Sequence, residues 1–136
     1  MNLTLRTGEK LYINGGVIRV DRKVTIELMN DVTFLMESHV LQANEATTPL
    51  RQIYFAVQVV LMDPAAASYA LGLARDLIGT AAAAYGTPEI VAGIELVSGS
   101  LARGRYFEAL KALRALYPLE QGEMFPAAGA DRPQAA

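Results

Sequence analysis

The chain reads as an α+β protein in which a small antiparallel sheet leads and a helical part follows. Three observations predict it. Residues 1–46 alternate short apolar runs with turn residues, and from residue 47 onward the apolar stretches are long and of helical period. Strands and helices are also segregated along the chain rather than interleaved, which favours α+β over α/β.

The strands follow in order. "NLTLR" (2–6) places Leu3 and Leu5 on one face, and "TGE" turns the chain. "KLYIN" (10–14) puts Leu11 and Ile13 on one face with Lys10, Tyr12 and Asn14 on the other. "NGG" (14–16) is a hairpin signal, because Asn and Gly accept positive φ. "VIRV" (17–20) returns, Asp21-Arg22 turns, and "KVTIELM" (23–29) directs Val24, Ile26 and Leu28 inward. After "ND", "VTFLM" (32–36) is the fifth strand. Short, locally connected strands of this kind predict a five-stranded antiparallel β-meander.

Residues 38–46 are a connector, and four helices are expected beyond it. The first starts at "TTP", with Thr48 as N-cap and Pro49 at the first helical position, and runs to about Met62. Its "IYFAVQVVLM" holds one polar residue, Gln58, so burial nearly all round is expected. Asp63-Pro64 ends it and opens the second helix, with Asp63 as N-cap, through about Tyr85. "GTP" (86–88) repeats the device for a third helix with Thr87 as cap, and Gly104 breaks that helix. The fourth, "RYFEALKALRALY", places Tyr106, Leu110, Leu113 and Tyr117 on one stripe and is expected to end at Pro118. The organisation is therefore a β subregion at 1–46, a helical subregion at 47–120 and a flexible tail at 121–136, with the first two folding as one cooperative domain.

Composition narrows the function. The 136 residues include no cysteine, which excludes disulfides and zinc–thiolate sites, and a single histidine, His39, to which no role is assigned. The start lacks the basic and apolar regions of a signal peptide, so a bacterial cytoplasmic location is expected. The longest low-charge stretch, 77–101, is interrupted by Gly86, Pro88, Glu89 and Glu95, and no membrane span is expected. The chain is nevertheless 52% hydrophobic, with mean hydropathy +0.23, which points to buried helices, self-association or a partner groove. Exposed sheet edges together with that apolar excess predict a homodimer. Net charge is -2, but it is uneven: residues 1–26 carry a net +3 and the remainder a net -5.

Enzyme chemistry is not visible. There is no phosphate-cradling GxxxxGK[ST], no GxGxxG and no GxSxG elbow. His39 and scattered carboxylates offer no metal-ligand spacing, and Glu89 and Glu95 fall on different helix faces. No enzyme, no metal and no cofactor are expected.

Three segments carry a resemblance: "LRTGEKLYINGGVI" near the start, "TTPLRQIYF" at the β-to-helix junction and "YFEALKALRALYPLE" near the end. In that order and spacing the chain resembles the FlbT family of flagellar biosynthesis regulators over residues 3–120 or so. The resemblance implies post-transcriptional control of flagellin synthesis, through the 5′ untranslated leader of flagellin mRNA, with the sign of regulation left open. Residues 3–40 are also similar to the small RNA-binding CsrA fold, a dimer that binds RNA through arginines on its first and last strands. Arg6 falls in the first-strand arginine region, whereas Met36 stands where the last-strand arginine is usual.

On that footing the outward face of the meander is the candidate RNA surface. Alternation gives it Thr4, Arg6, Lys10, Tyr12, Asn14, Arg19, Lys23 and Thr25, with Arg22 in the adjoining turn. Cations pair phosphates, and Tyr12 offers a stacking surface for an unpaired base, worth about 1–3 kcal/mol. A solvated sheet face is the other reading. Arg51 is a second candidate, because a cation in a first helical turn opposes the helix dipole. Either an external anion sits at this helix N-terminus, or Arg51 pairs with Glu37 or Glu45. The Tyr106–Tyr117 stripe is expected in the core, with a protein groove as the second reading. The expected partner is the flagellin mRNA leader. The alternative is an adaptor or chaperone whose anionic, apolar helices hold flagellin or another flagellar regulator.

Overall fold

The computed structural model describes residues 1–124. Five strands come first: β1 (Asn2–Leu5), β2 (Lys10–Ile13), β3 (Gly16–Arg19), β4 (Val24–Glu27) and β5 (Phe34–Met36). Four α-helices follow: α1 (Pro49–Met62), α2 (Ala67–Ala84), α3 (Pro88–Ala102) and α4 (Tyr106–Met124). Single 3-10 turns lie at Glu37–His39, Ala43–Glu45 and Pro64–Ala66.

The strands are antiparallel, but they do not form one five-stranded meander. β1 pairs with β4 in a two-stranded ribbon, and β2 lies between β3 and β5 in a separate sheet. Strand length explains the split. A strand of three or four residues offers at most two side chains per face, too few for one sheet to bury a core. Stacked as two layers, the strands enclose Leu3, Leu5 and Leu11, with Ile13, Val24, Ile26, Phe34 and Met36 around them.

The turn at 14–15 is as the sequence predicts. Asn14 (φ 49°) and Gly15 (φ 82°) are both left-handed, as a two-residue type I′ hairpin requires, and Ile13 pairs with Gly16 across it. A Cβ on Gly15 would also stand 2.9 Å from Pro64 Cδ, so the hairpin tip is seated on the start of the α2 segment.

The larger core is helical. α1 supplies Leu50, Ile53, Tyr54, Val57 and Leu61, and among its residues only Gln52 is exposed. Leu35 and the half-buried Tyr12 join this core from the sheet, so β2 and β5 are covered on both faces. The buried Gln58 is not idle in α1. Its amide accepts from Leu41 N–H (2.6 Å) and donates to Leu41 C=O (2.8 Å), which ties the connector down. α3 and α4 approach closely at Gly93, where an added Cβ would lie 2.5 Å from a Leu116 methyl carbon.

Several helix ends differ from expectation. Asp63 makes no side-chain cap, and α2 begins only after the 3-10 turn at Pro64–Ala66. Thr87 does not cap through its own side chain either. α4 continues through Pro118 to Met124. Proline removes one N–H, leaving the Arg114 carbonyl without its intrahelical donor, yet contacts beyond it hold the last turns in place. The expected flexible tail at 121–136 thus begins as helix over 121–124, and 125–136 lie outside the described residues. Among the described residues no single helix is long and apolar enough to cross a membrane.

Candidate nucleic-acid interface

The ladder registers gather the cations of residues 1–26 at one end of the β layers. Leu5 pairs with Val24, and the residues just beyond that pair are Arg6 and Lys23. Lys10 pairs with Arg19 in the adjoining sheet. Gly8 N–H donates to Val20 C=O (2.7 Å) and Val20 N–H to Glu9 C=O (3.2 Å), which brings the two turns together. Arg6, Arg19, Arg22 and Lys23 are exposed, and Lys10 is half-buried.

Of these five cations, only Arg22 is in an ion pair among the described residues, with its neighbour Asp21 at 3.2 Å, and both side chains are open to solvent. Such a pair contributes little. Two further acids at this end are occupied by backbone. Glu9 accepts from Arg6 N–H (2.9 Å), and Glu37 accepts from Lys10 N–H (2.7 Å). A shallow cleft of about 560 Å³ lies among Arg6, Thr7, Gly8, Glu9, Glu37 and Ser38.

Not all of the expected surface survives. Thr4 and Thr25 do sit side by side on the outer face of the ribbon, 3.4 Å apart through their hydroxyls. The β2 face carrying Lys10 and Tyr12 turns toward the helices instead. Tyr12 packs against the helical core, so it is not the open stacking platform that alternation alone implied. The alternation in β2 is real, but both of its faces are covered.

Arg51 has a different solution from either expectation. It makes no ion pair with Glu37 or Glu45: the first binds Lys10 N–H and the second Gln42 N–H. Its guanidinium lies over the Tyr117 ring, 4.3 Å from the centroid. The anion at this helix end belongs to the protein itself. Glu120, 2% exposed, accepts from Thr48 Oγ1 (2.7 Å), from Leu50 N–H (2.9 Å) and from the Tyr85 hydroxyl. Thr48 in turn accepts from Arg51 N–H (3.2 Å), the N-cap bond that "TTP" predicts.

Glu123, one turn further on, repeats the arrangement. It accepts from Gly86 N–H (3.1 Å), Thr87 N–H (2.9 Å) and the Thr87 hydroxyl at the start of α3. These bonds, led by that of the Thr87 hydroxyl, hold its carboxyl below the usual range. Burial, then Glu120, push the Tyr85 hydroxyl well above its ordinary value, so it remains a donor. Both "TP" helix starts are therefore held by α4. The signal was present in the sequence: the stripe 106, 110, 113, 117 continues at helical spacing to 120.

A second feature escaped sequence reasoning. Between β5, the loop before it and α4 runs a groove of about 820 Å³, walled in part by Met29, Phe34, Phe107 and Leu110. Phe34 and Phe107 touch at 4.8 Å between ring centroids. His39 borders the groove, and burial followed by nearby Arg114 lowers its pKa.

Comparison with known proteins covers all of the described residues. The family described as "Flagellar protein FlbT" matches residues 1–124. The chain is similar to the "Probable flagellum biosynthesis repressor protein FlbT" of Mesorhizobium japonicum, 49% identical over 138 residues, covering 99% of this chain and 94% of that protein. Proteins of the same description from Chelativorans sp. and Agrobacterium fabrum are 49% and 46% identical, covering 88% and 89% of this chain and 82% and 81% of their own lengths. No solved structure matches.

Proposed function

The chain belongs to the FlbT family of flagellar proteins, and on that premise we propose that it controls flagellin synthesis by binding the 5′ untranslated leader of flagellin mRNA. Its similarity to proteins described as flagellum biosynthesis repressors supports the regulatory role. The observation that carries RNA contact is the cluster of Arg6, Lys10, Arg19, Arg22 and Lys23 at one end of the β layers, open to solvent except for half-buried Lys10. Each cation placed on a phosphate releases counterions, so the cluster supplies affinity. Tyr12 is not part of the surface, and base stacking does not enter this reading. Arg51 is a structural residue in it, because Glu120 already serves the N-terminus of α1.

We place the second copy of a dimer on β3, an edge strand whose four residues are all exposed, Val17 and Ile18 among them. Antiparallel pairing centred between those two residues would set each Arg19 opposite the other copy's Gly16 and keep like charges apart.

The test is a gel shift with purified protein, the flagellin leader and a scrambled RNA of equal length. The leader is expected to shift at lower protein concentration, and the Arg6→Ala/Lys23→Ala variant to lose most of that affinity. Retention of flagellin protein with no shift of the leader would transfer the role to a protein adaptor.

A further inference from the structure

The groove beside α4 lies at the other end of the β1–β4 ribbon from the cation cluster. Leu28 N–H donates to Met1 C=O at that end, and both residues line the groove. Its walls are apolar and adaptable. Three of the chain's five methionines, Met1, Met29 and Met36, contribute, with Phe34, Phe107 and Leu110. Met29 is 82% exposed, although it stands beside other apolar side chains.

Charge indicates the occupant. Lys111 and Arg114 stand one turn apart along the α4 wall. Neither is in an ion pair among the described residues; Arg114 donates to the neutral Tyr54 hydroxyl (2.9 Å). Asp31 is the one acid of the lining. An apolar trough with two uncompensated cations on one wall fits a helix with long aliphatic side chains on one face and carboxylates along its flank. RNA fits it poorly. Ten of the fifteen lining residues are apolar, and the Phe34 and Phe107 rings pack on each other rather than standing open for a base.

We propose that this groove docks an amphipathic protein helix that carries carboxylates beside its apolar face. The proposal does not depend on the RNA reading, since none of Arg6, Lys10, Arg19, Arg22 and Lys23 lines the groove. The probes are two fluorescein-labelled 18-residue peptides with one Leu/Met face, flanked by glutamates in one and lysines in the other. Fluorescence anisotropy with the full chain is expected to show the glutamate peptide binding at least tenfold more tightly. Met29→Glu, in an exposed loop, is expected to weaken it at least tenfold without changing thermal unfolding. Lys111→Glu is expected to reduce or reverse the preference. Equal affinity for both peptides, no binding of either, or indifference to Met29→Glu overturns the proposal. Displacement of the peptide by the leader RNA would assign the groove to RNA. Loss of self-association in Met29→Glu would assign it to a second copy, and either result overturns the proposal as well.

Discussion

Glu120 brings the starts of α1 and the end of α2 onto a single side chain: Thr48, Leu50 and Tyr85 all donate to it. Replacing it with Ala leaves Thr48 Oγ1 and Leu50 N–H without their acceptor and the Tyr85 hydroxyl with only the Met124 sulfur, 3.6 Å away. Each such loss costs about 1–3 kcal/mol, so Glu120→Ala is expected to lower unfolding free energy by roughly 3 kcal/mol or more in urea titration. Glu123 adds a pH dependence whose sign follows from linkage. Its folded pKa is depressed, so the unfolded state takes up its proton first as pH falls. The contribution is complete above the ordinary glutamate range, roughly pH 5 and higher, and is lost progressively as pH falls through that range toward the lowered folded value. Stability measured from neutral pH to about pH 3 is expected to fall, and Glu123→Gln to flatten that slope; an unchanged slope would show that the Thr87 bonds do not matter. Arg51 shows how far a single residue is legible. Its position opposing the dipole marks it as odd in the sequence, but its partner Tyr117 is distant along the chain, and nothing local selects an aromatic ring over a carboxylate.

At the scale of elements, boundaries were more legible than pairings. "NGG", "TTP" and "GTP" mark their turns and helix starts through dihedral preferences that act locally. The pairing of β1 with β4, and of β5 with β2, depends on which short apolar faces meet, and that is a long-range competition. Pro118 misleads for the same reason. Its local cost of about 3 kcal/mol is offset by Glu120 and Glu123, which bind residues more than thirty positions earlier. The α3–α4 contact gives a direct check on packing. Gly93→Ala is expected to cost about 1–3 kcal/mol by driving a methyl into Leu116, and Leu116→Ala in the same chain to recover part of that loss. Thermal unfolding of the single and double variants measures it, and simple additivity would contradict the contact.

For the whole molecule, the unequal distribution of charge was visible in the sequence, while its concentration at one end of the layers was not. Segment counting gives the net +3; only the register places Arg6 beside Lys23 and Lys10 beside Arg19. Tyr12 was lost from the candidate surface because β2 is central and covered twice. The sequence offered a protein groove only as a second reading of the Tyr106–Tyr117 stripe, and its position was not legible because the walls come from β1, the β4–β5 loop, β5 and α4. The exposed edge of β3 yields its own prediction: Val17→Asp is expected to convert a dimer to a monomer in sedimentation velocity, and a wild-type monomer would remove that interface. The central claim is that the cationic end holds phosphates, and salt dependence of leader binding measures it most directly. Wild-type affinity is expected to fall steeply with rising salt, and Arg6→Ala/Arg19→Ala/Lys23→Ala to lower the log–log slope by about 2. An identical slope in the two proteins would contradict it.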